Sequence, residues 1–210
     1  MKDCALLTVI SGFAGSGKGS AMKGLLAKYP DTYALSVSAT TRAPRPGEVD
    51  GREYFFVSDE AFEEKIRTGA LLEHAGYVGH YYGTPRAYVE DNLAAGKDVL
   101  LEIEIQGALQ IKKQFPAACL LFLTPPTAEE LKRRLVGRGT EDEETIRKRL
   151  FRASEEADGI EQYDYLVVND DLDTCVETIH RIIQSEKKRI TRCLDTINTI
   201  REGVHAFSEI

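Results

Sequence analysis

Apolar residues in this chain fall in short runs, separated by longer stretches in which charged positions recur at helical spacing. The first run, ALLTVI at 5–10, is branched and apolar throughout, the pattern of a strand buried on both faces. A glycine-rich turn follows it, and KGSAMKGLLAKY then has helical composition as far as Pro30. YALSVSATT predicts a second strand that runs into the loop RAPRPGEVDG, and REYFFV predicts a third. SDEAFEEKIRTG predicts a helix with Ser58 as N-cap and Gly69 at its stop. Residues 71–84 carry aromatic, half-polar strand pieces, and PRAYVEDNLAAG predicts a helix opened by Pro85. DVLLEIEI and ACLLFL read as central strands. TAEELKRRLVGRG and EDEETIRKRLFRASEEAD read as two charged helices around a Gly-Arg-Gly turn. YDYLVV is a last strand before a long helical segment from about Asp171.

Strands alternating with helices predict an α/β fold with a parallel sheet. Five runs are candidate core strands, at 5–10, 34–38, 99–103, 119–123 and 164–168, and the more polar pieces at 53–84 form an expected inserted lobe. A chain of 210 residues suits one domain with a mobile subdomain and can bury a core without disulfides. The formal net charge of -7 argues against a general nucleic-acid binder, though not against a nucleotide-sized anion. Cys4, Cys119, Cys175 and Cys193 form no C-x-x-C pair, so no zinc site is expected and the thiols read as reduced. The first apolar run is too short for a signal peptide or a membrane span, and a cytoplasmic chain is expected.

Candidate chemistry begins with SGFAGSGKGS, which fits G-x-x-x-x-G-K at Gly12, Gly17 and Lys18. Gly12, Gly15 and Gly17 let the backbone turn tightly and aim N–H groups at phosphate oxygens, and the helix opening near Lys18 adds its positive end. Lys18 can reach the β and γ phosphates of a nucleotide. A magnesium-ligating hydroxyl belongs at the next position, but Gly19 stands there and the hydroxyl comes one residue later, at Ser20. Arg42 and Arg45 flank Pro44 in a loop stiffened by Pro44 and Pro46, and guanidinium forks match phosphate oxygens. Arg134 and Arg138 are four apart, hence on one helix face, beside a hinge-like pair, Gly137 and Gly139.

The loop GKGS resembles the G-K-G-T of adenylate and cytidylate kinases, in which the hydroxyl likewise follows the glycine. The segments SVSATTRAPRPGEVDGREYFF, LLEHAGYVGHYYGT, LLEIEIQGA, LFLTPPTAEELKRRLVGRGTEDEETIRKRL and YDYLVVNDDLD, in that order, closely resemble guanylate kinase over roughly residues 5–185. The resemblance implies a P-loop NTPase fold with a five-stranded parallel core, an inserted GMP-binding lobe at about 38–96, a helical lid at about 134–152 and a C-terminal helical extension at 186–210. It implies transfer of the γ-phosphoryl of ATP to GMP, and to dGMP, with magnesium. ATP would be held by the loop (Gly12, Phe13, Ala14, Gly15, Ser16, Gly17, Lys18, Gly19 and Ser20), with Asn169 and Asp170 near its base. GMP would be held by Ser38, Arg42, Arg45, Tyr54 and Tyr82 at the phosphate, and by Glu73, Thr84 and Glu104 at the base. Guanine presents two adjacent N–H donors, which a carboxylate matches, whereas adenine presents an acceptor at N1 that would leave a carboxylate unpaired. Arg134, Arg138 and Arg149 match the lid arginines, and with Lys18 and Arg42 they make up the expected catalytic set. Ser20 and Glu102 would hold magnesium through water. The family usually has Asp at 102 and 104, and this chain has Glu at both. Two other readings stand beside this one: a guanylate-kinase-like module that binds without catalysis, and a kinase for another phosphorylated acceptor such as a ribosyl bisphosphate. No nucleic acid or membrane partner is expected. Ile179, Ile183, Ile190, Cys193, Ile197, Ile200, Val204 and Phe207 follow a four-three spacing broken only by Glu186, which predicts a helical seam against the chain's own core or a second subunit.

Overall fold

A parallel sheet in the order β2-β7-β1-β8-β9 forms the centre of the molecule. Its strands are β1 (Leu7–Gly12), β2 (Tyr33–Leu35), β7 (Asp98–Glu102), β8 (Cys119–Thr124) and β9 (Tyr165–Val168). The structure, a computed structural model, describes residues 5–77, 79–137 and 143–207. Along β1 the side chains alternate between two cores. Ile10 joins Leu100, Leu121 and Leu123 under α1 (Lys18–Lys28) and α7 (Leu172–Glu186), which contribute Met22, Leu25, Val176, Ile179 and Ile183. Val9 joins Val99, Leu101 and Leu120 under α3 (Arg86–Ala94) and α4 (Ile105–Gln114), which contribute Val89, Ala108 and Ile111. Burial on both faces is why these strands read as continuous apolar runs.

The inserted pieces form a second sheet in the order β4-β3-β6-β5. Its strands are β3 (Ala39–Thr40), β4 (Phe55–Phe56), β5 (Leu71–Tyr77) and β6 (His80–Pro85), backed by α2 (Asp59–Arg67) through Phe62. Ser58 caps α2 as expected, its hydroxyl accepting from the Ala61 N–H at 3.2 Å. Two charged helices, α5 (Ala128–Val136) and α6 (Glu143–Ala157), complete the part around the first loop.

Three sequence expectations are corrected. YALSVSATT is not one strand: β2 ends at Leu35, and the chain crosses to the second sheet before β3 begins at Ala39. Nor does DVLLEIEI stay extended, because β7 ends at Glu102 and α4 starts at Ile105. Glu102 to Ile105 alternate like a strand, but the spacing of Ala108 and Ile111 belongs to a helix that packs on the sheet. The C-terminal seam is also not one helix. α7 ends at Glu186, a 3-10 turn spans Ile190–Arg192, and α8 runs from Leu194 to Ala206. Ile179 and Ile183 lie in the core, whereas Ile190, Ile200, Val204 and Phe207 are 71%, 60%, 59% and 75% exposed. Two polar anchors turn the chain here. Glu186, buried, accepts from the Tyr165 hydroxyl and from Arg192 Nη2 at 3.0 Å. Lys187 Nζ pairs with buried Asp98 Oδ2 at 2.9 Å. Removing either partner of such a buried pair leaves the other without compensation, so the bend is fixed.

Candidate functional site

β1 and its neighbour β7 send their following helices, α1 and α4, to opposite faces of the sheet, which opens a crevice at their C-terminal ends. The glycine loop sits there. A Cβ on Gly12 would stand 2.1 Å from the Leu123 carbonyl oxygen. Gly17, at φ 93°, is left-handed, and a Cβ there would lie 2.3 Å from Asn169 Nδ2. That amide donates to the Ser16 carbonyl at 2.8 Å, so Asn169, at the end of β9, braces the loop from beneath. Lys18 Nζ donates to the Gly12 carbonyl at 2.6 Å and to the Phe13 carbonyl at 3.3 Å. Phe13 packs edge-on to Phe122, and Phe13 and Ala14 rest on Leu131 and Leu135 of α5 and on Leu150 and Ala153 of α6. Gly19 stands in the first turn of α1 with open space where a Cβ would be, and Ser20 beside it is exposed.

A cavity of about 470 Å³ extends from Lys18 to the second sheet. It gathers Ser38, Arg42, Arg45, Tyr54, Glu73, Tyr82, Glu102, Glu104 and Arg149. Arg42 is held by Glu48, Nη2 to Oε1 at 2.9 Å, while Glu48 Oε2 accepts from the Arg45 N–H at 2.7 Å. The guanidinium lies over the rings of Tyr54, at 5.4 Å, and Phe56, at 5.8 Å. Tyr54 and Tyr82 meet edge to face at 5.8 Å, and burial raises the Tyr54 hydroxyl above its ordinary range.

Acidic groups line the opposite wall. Glu73, on β5, is 4% exposed, and its Oε1 accepts from the Thr84 hydroxyl on β6 at 2.7 Å. Burial pushes its carboxyl up to about 7, against the Thr84 hydrogen bonds. Glu102 ends β7 beside Ile10 of β1 and opens into the cavity. Its side chain is exposed to the open cavity, yet the protein crowded around it desolvates the carboxyl and raises it, and the Lys18 ammonium opposes the rise. Glu104 is the N-cap residue of α4, and Glu156 of α6, buried and hydrogen-bonded to Glu104, is also pushed up. Among the described residues no three His, Cys, Asp or Glu side chains gather as a metal cage.

The remaining sequence candidates lie apart from this cavity or outside the described residues. Arg134 pairs with Glu130 Oε1 at 2.6 Å and donates to the Asn169 carbonyl at 2.9 Å, beside the glycine loop rather than in the cavity. Asp170 is exposed next to it. Arg138 lies outside the described residues. Sequence reasoning missed Glu48, Arg152, Glu156 and Gly107. Glu48 had a faint signal, three residues after Arg45 in a loop with fixed prolines. Arg152 and Glu156 read as an ordinary i,i+4 surface pair of one helix, and only the fold brings Arg152 to the cavity, Glu156 to Glu104, and Gly107 to Glu73. Among the described residues no helix is long and apolar enough to cross a membrane.

A family model for guanylate kinase matches residues 5–186. The chain is 52% identical to a guanylate kinase of Streptococcus thermophilus over 194 residues, covering 92% of this chain and 93% of that one. It is 50% identical to one from Caldanaerobacter subterraneus subsp. tengcongensis over 202 residues, 96% of this chain and 98% of that one. Its structure is similar to the crystal structure of guanylate kinase from Anaplasma phagocytophilum, with a TM-score of 0.74 and 32% identity over 91% of each chain.

Proposed function

The chain belongs to the guanylate kinase family and phosphorylates GMP, and on that premise we propose how its residues divide the work. The observation that carries the reading is the single cavity joining Lys18 of the glycine loop to Arg42, Arg45, Tyr54, Tyr82 and Glu73 of the second sheet. Residues 12–20 hold the ATP phosphates, with Asn169 and Asp170 toward the adenine. Arg42, Arg45, Tyr54 and Tyr82 hold the GMP phosphate, and Ser38 lines its pocket. Glu73, Thr84 and Glu104 read the guanine. Lys18 neutralises charge on the transferring group, joined by Arg134, Arg138 and Arg149 from the lid at about 134–152. The lobe at about 38–96 carries the acceptor, and the guanylate kinase unit ends near 185. The acceptor phosphate oxygens are nucleophilic as they stand, so no side chain has to remove a proton and no covalent intermediate is needed.

Magnesium fits a site of this composition. The Glu102 carboxylate, which lines the cavity, and the exposed Ser20 hydroxyl in the first turn of α1 suit an ion that keeps most of its waters and is otherwise held by phosphate oxygens. When bound it would supply charge neutralisation between the phosphates. The added methylene of Glu102, relative to Asp, lengthens its reach into the cavity without changing its charge. The proposed location is the cytoplasm, where nucleotides circulate. An assay of ADP release with GMP, dGMP, AMP, CMP and UMP tests the reading. GMP and dGMP are expected to turn over rapidly and the others poorly, and AMP used as well as GMP would overturn it.

The variant loop has its own test. Gly19→Ser puts a hydroxyl where open space exists, so it is expected to leave turnover within about tenfold, a barrier change of about 1.4 kcal/mol or less. Turnover at saturating ATP, GMP and magnesium measures this. A large gain would mean that the natural loop is impaired.

The extension from 186 onward is proposed to join two copies of the chain through α8, where Ile197, Ile200, Val204 and Phe207 recur at three and four residues, the last three strongly exposed. Cutting before Glu186 would strip the Tyr165 and Asp98 anchors, so the informative truncation is after Cys193. Sedimentation is expected to show a lower assembly state with GMP kinase activity retained. An unchanged assembly state would remove α8 from the interface.

A further inference from the structure

Gly107 occupies the third position of α4, buried, with no left-handed backbone to require glycine. Alanine is the better helix former at such a site, so local structure does not explain the residue. Its surroundings do. A Cβ on Gly107 would stand 2.4 Å from Glu73 Oε2 and 2.9 Å from Glu73 Cδ, and 3.3 Å from Ile103 Cδ1. The carboxylate of Glu73 therefore fills the space that any other residue at 107 would claim.

The helix cannot back away to make room. β5 is an edge strand of the second sheet, and its free backbone groups are taken up by side chains of α4. Gln110 Nε2 donates to the His74 carbonyl at 2.9 Å, and Gln110 Oε1 accepts from the His74 N–H at 3.2 Å. Gln114 Nε2 donates to the Leu72 carbonyl at 2.6 Å. Positions 107, 110 and 114 share one helix face, and the two glutamines pin β5 on either side of Glu73. Glu73 is held from the other direction by the Thr84 hydroxyl at 2.7 Å.

We propose that Gly107 sets base specificity as a positioning residue: the missing side chain and the glutamine clamp let α4 close on β5 so that the Glu73 carboxylate stands at the purine edge. The proposal rests on the reading of Glu73 as the base-recognising group, and the experiment separates the two. Four chains are compared, the parent, Gly107→Ala, Glu73→Ala and the double variant, by KM for GMP, KM for ATP and thermal unfolding. Gly107→Ala is expected to raise the KM for GMP by about tenfold or more, because a carboxylate displaced by around an ångström loses its alignment. KM for ATP should stay within about twofold, and unfolding should move down by only a few degrees, since the helix preference of alanine offsets part of the crowding against Glu73. In the Glu73→Ala background the same substitution should change KM for GMP by less than about twofold, because the two sites act through one contact.

An unchanged KM for GMP in Gly107→Ala overturns the proposal. So does an equal penalty in both backgrounds, which would mean that the methyl obstructs the nucleotide directly. A Gly107→Ala chain that unfolds while the double variant stays folded also overturns it, because the contact would then serve stability alone. If Glu73→Ala itself leaves the KM for GMP unaltered, the underlying reading of Glu73 fails instead.

Discussion

Lys18→Ala is expected to lower turnover at saturating ATP, GMP and magnesium by about a hundred- to a thousandfold, the usual cost of removing one preorganised group aimed at developing charge. That corresponds to about 2.7–4 kcal/mol of barrier. The ammonium lies on the loop carbonyls of Gly12 and Phe13, at the junction between the loop and the cavity, and it sits near enough to Glu102 to influence that carboxyl. Alanine removes the charge and its hydrogen bonds while leaving the loop's other supports in place. Those supports are the Asn169 amide beneath Ser16 and the packing of Phe13 on Phe122. The loss should therefore fall on the chemical step, with unfolding temperature little changed. A Lys18→Ala chain as active as the parent would remove the phosphate-loop assignment altogether.

Glu73→Gln is expected to reduce kcat/KM for GMP by about ten- to a hundredfold, because an amide offers one acceptor where guanine brings two donors, and an unpaired buried donor costs about 1–3 kcal/mol. KM for ATP should barely change. The parent should also show a pH signature that the variant lacks. In the free pocket the Glu73 carboxyl is held up at about 7, mainly by burial, so below that pH it is largely neutral. Guanine's donors favour the anion, so binding lowers this pKa and releases a proton below about pH 7. GMP affinity attributable to Glu73 should then rise with pH and level off above about 7. The GMP phosphate titrates in both chains and cancels in the comparison. Calorimetry in two buffers of different ionisation enthalpy measures the released proton. Equal proton release by the parent and by Glu73→Gln would mean that Glu73 does not meet the base as an anion.

Some of this architecture is written in single segments of the chain. The five core strands, the glycine loop after the first of them and the capped start of α2 follow from local patterns: apolar runs, Gly12 to Lys18, and Ser58 at a helix start. Local rules work there because a strand buried on both faces, or a helix start, imposes its own composition over a few residues. The same rules fail at boundaries. YALSVSATT stays strand-like in composition on both sides of the crossing between sheets, and Ile103 and Ile105 continue an alternation that the fold abandons at Glu102.

The sequence alone determined the fold class, the glycine loop after the first strand and, through family motifs, ten of the residues that line the cavity, from Lys18 to Arg149. Tertiary structure decided what those residues touch. Arg134 turned toward Asn169, the Asn169 amide beneath Ser16, and the Glu73 carboxylate facing α4 depend on neighbours tens of residues away. The bend after α7 is fixed by Asp98 and Tyr165, so a spacing that reads as one seam becomes a core helix and an exposed one. Gly107 is the sharpest case. Within its own helix it is only a weak helix former, and its meaning lies in the distance to a carboxylate on another sheet, which no pattern within one segment contains.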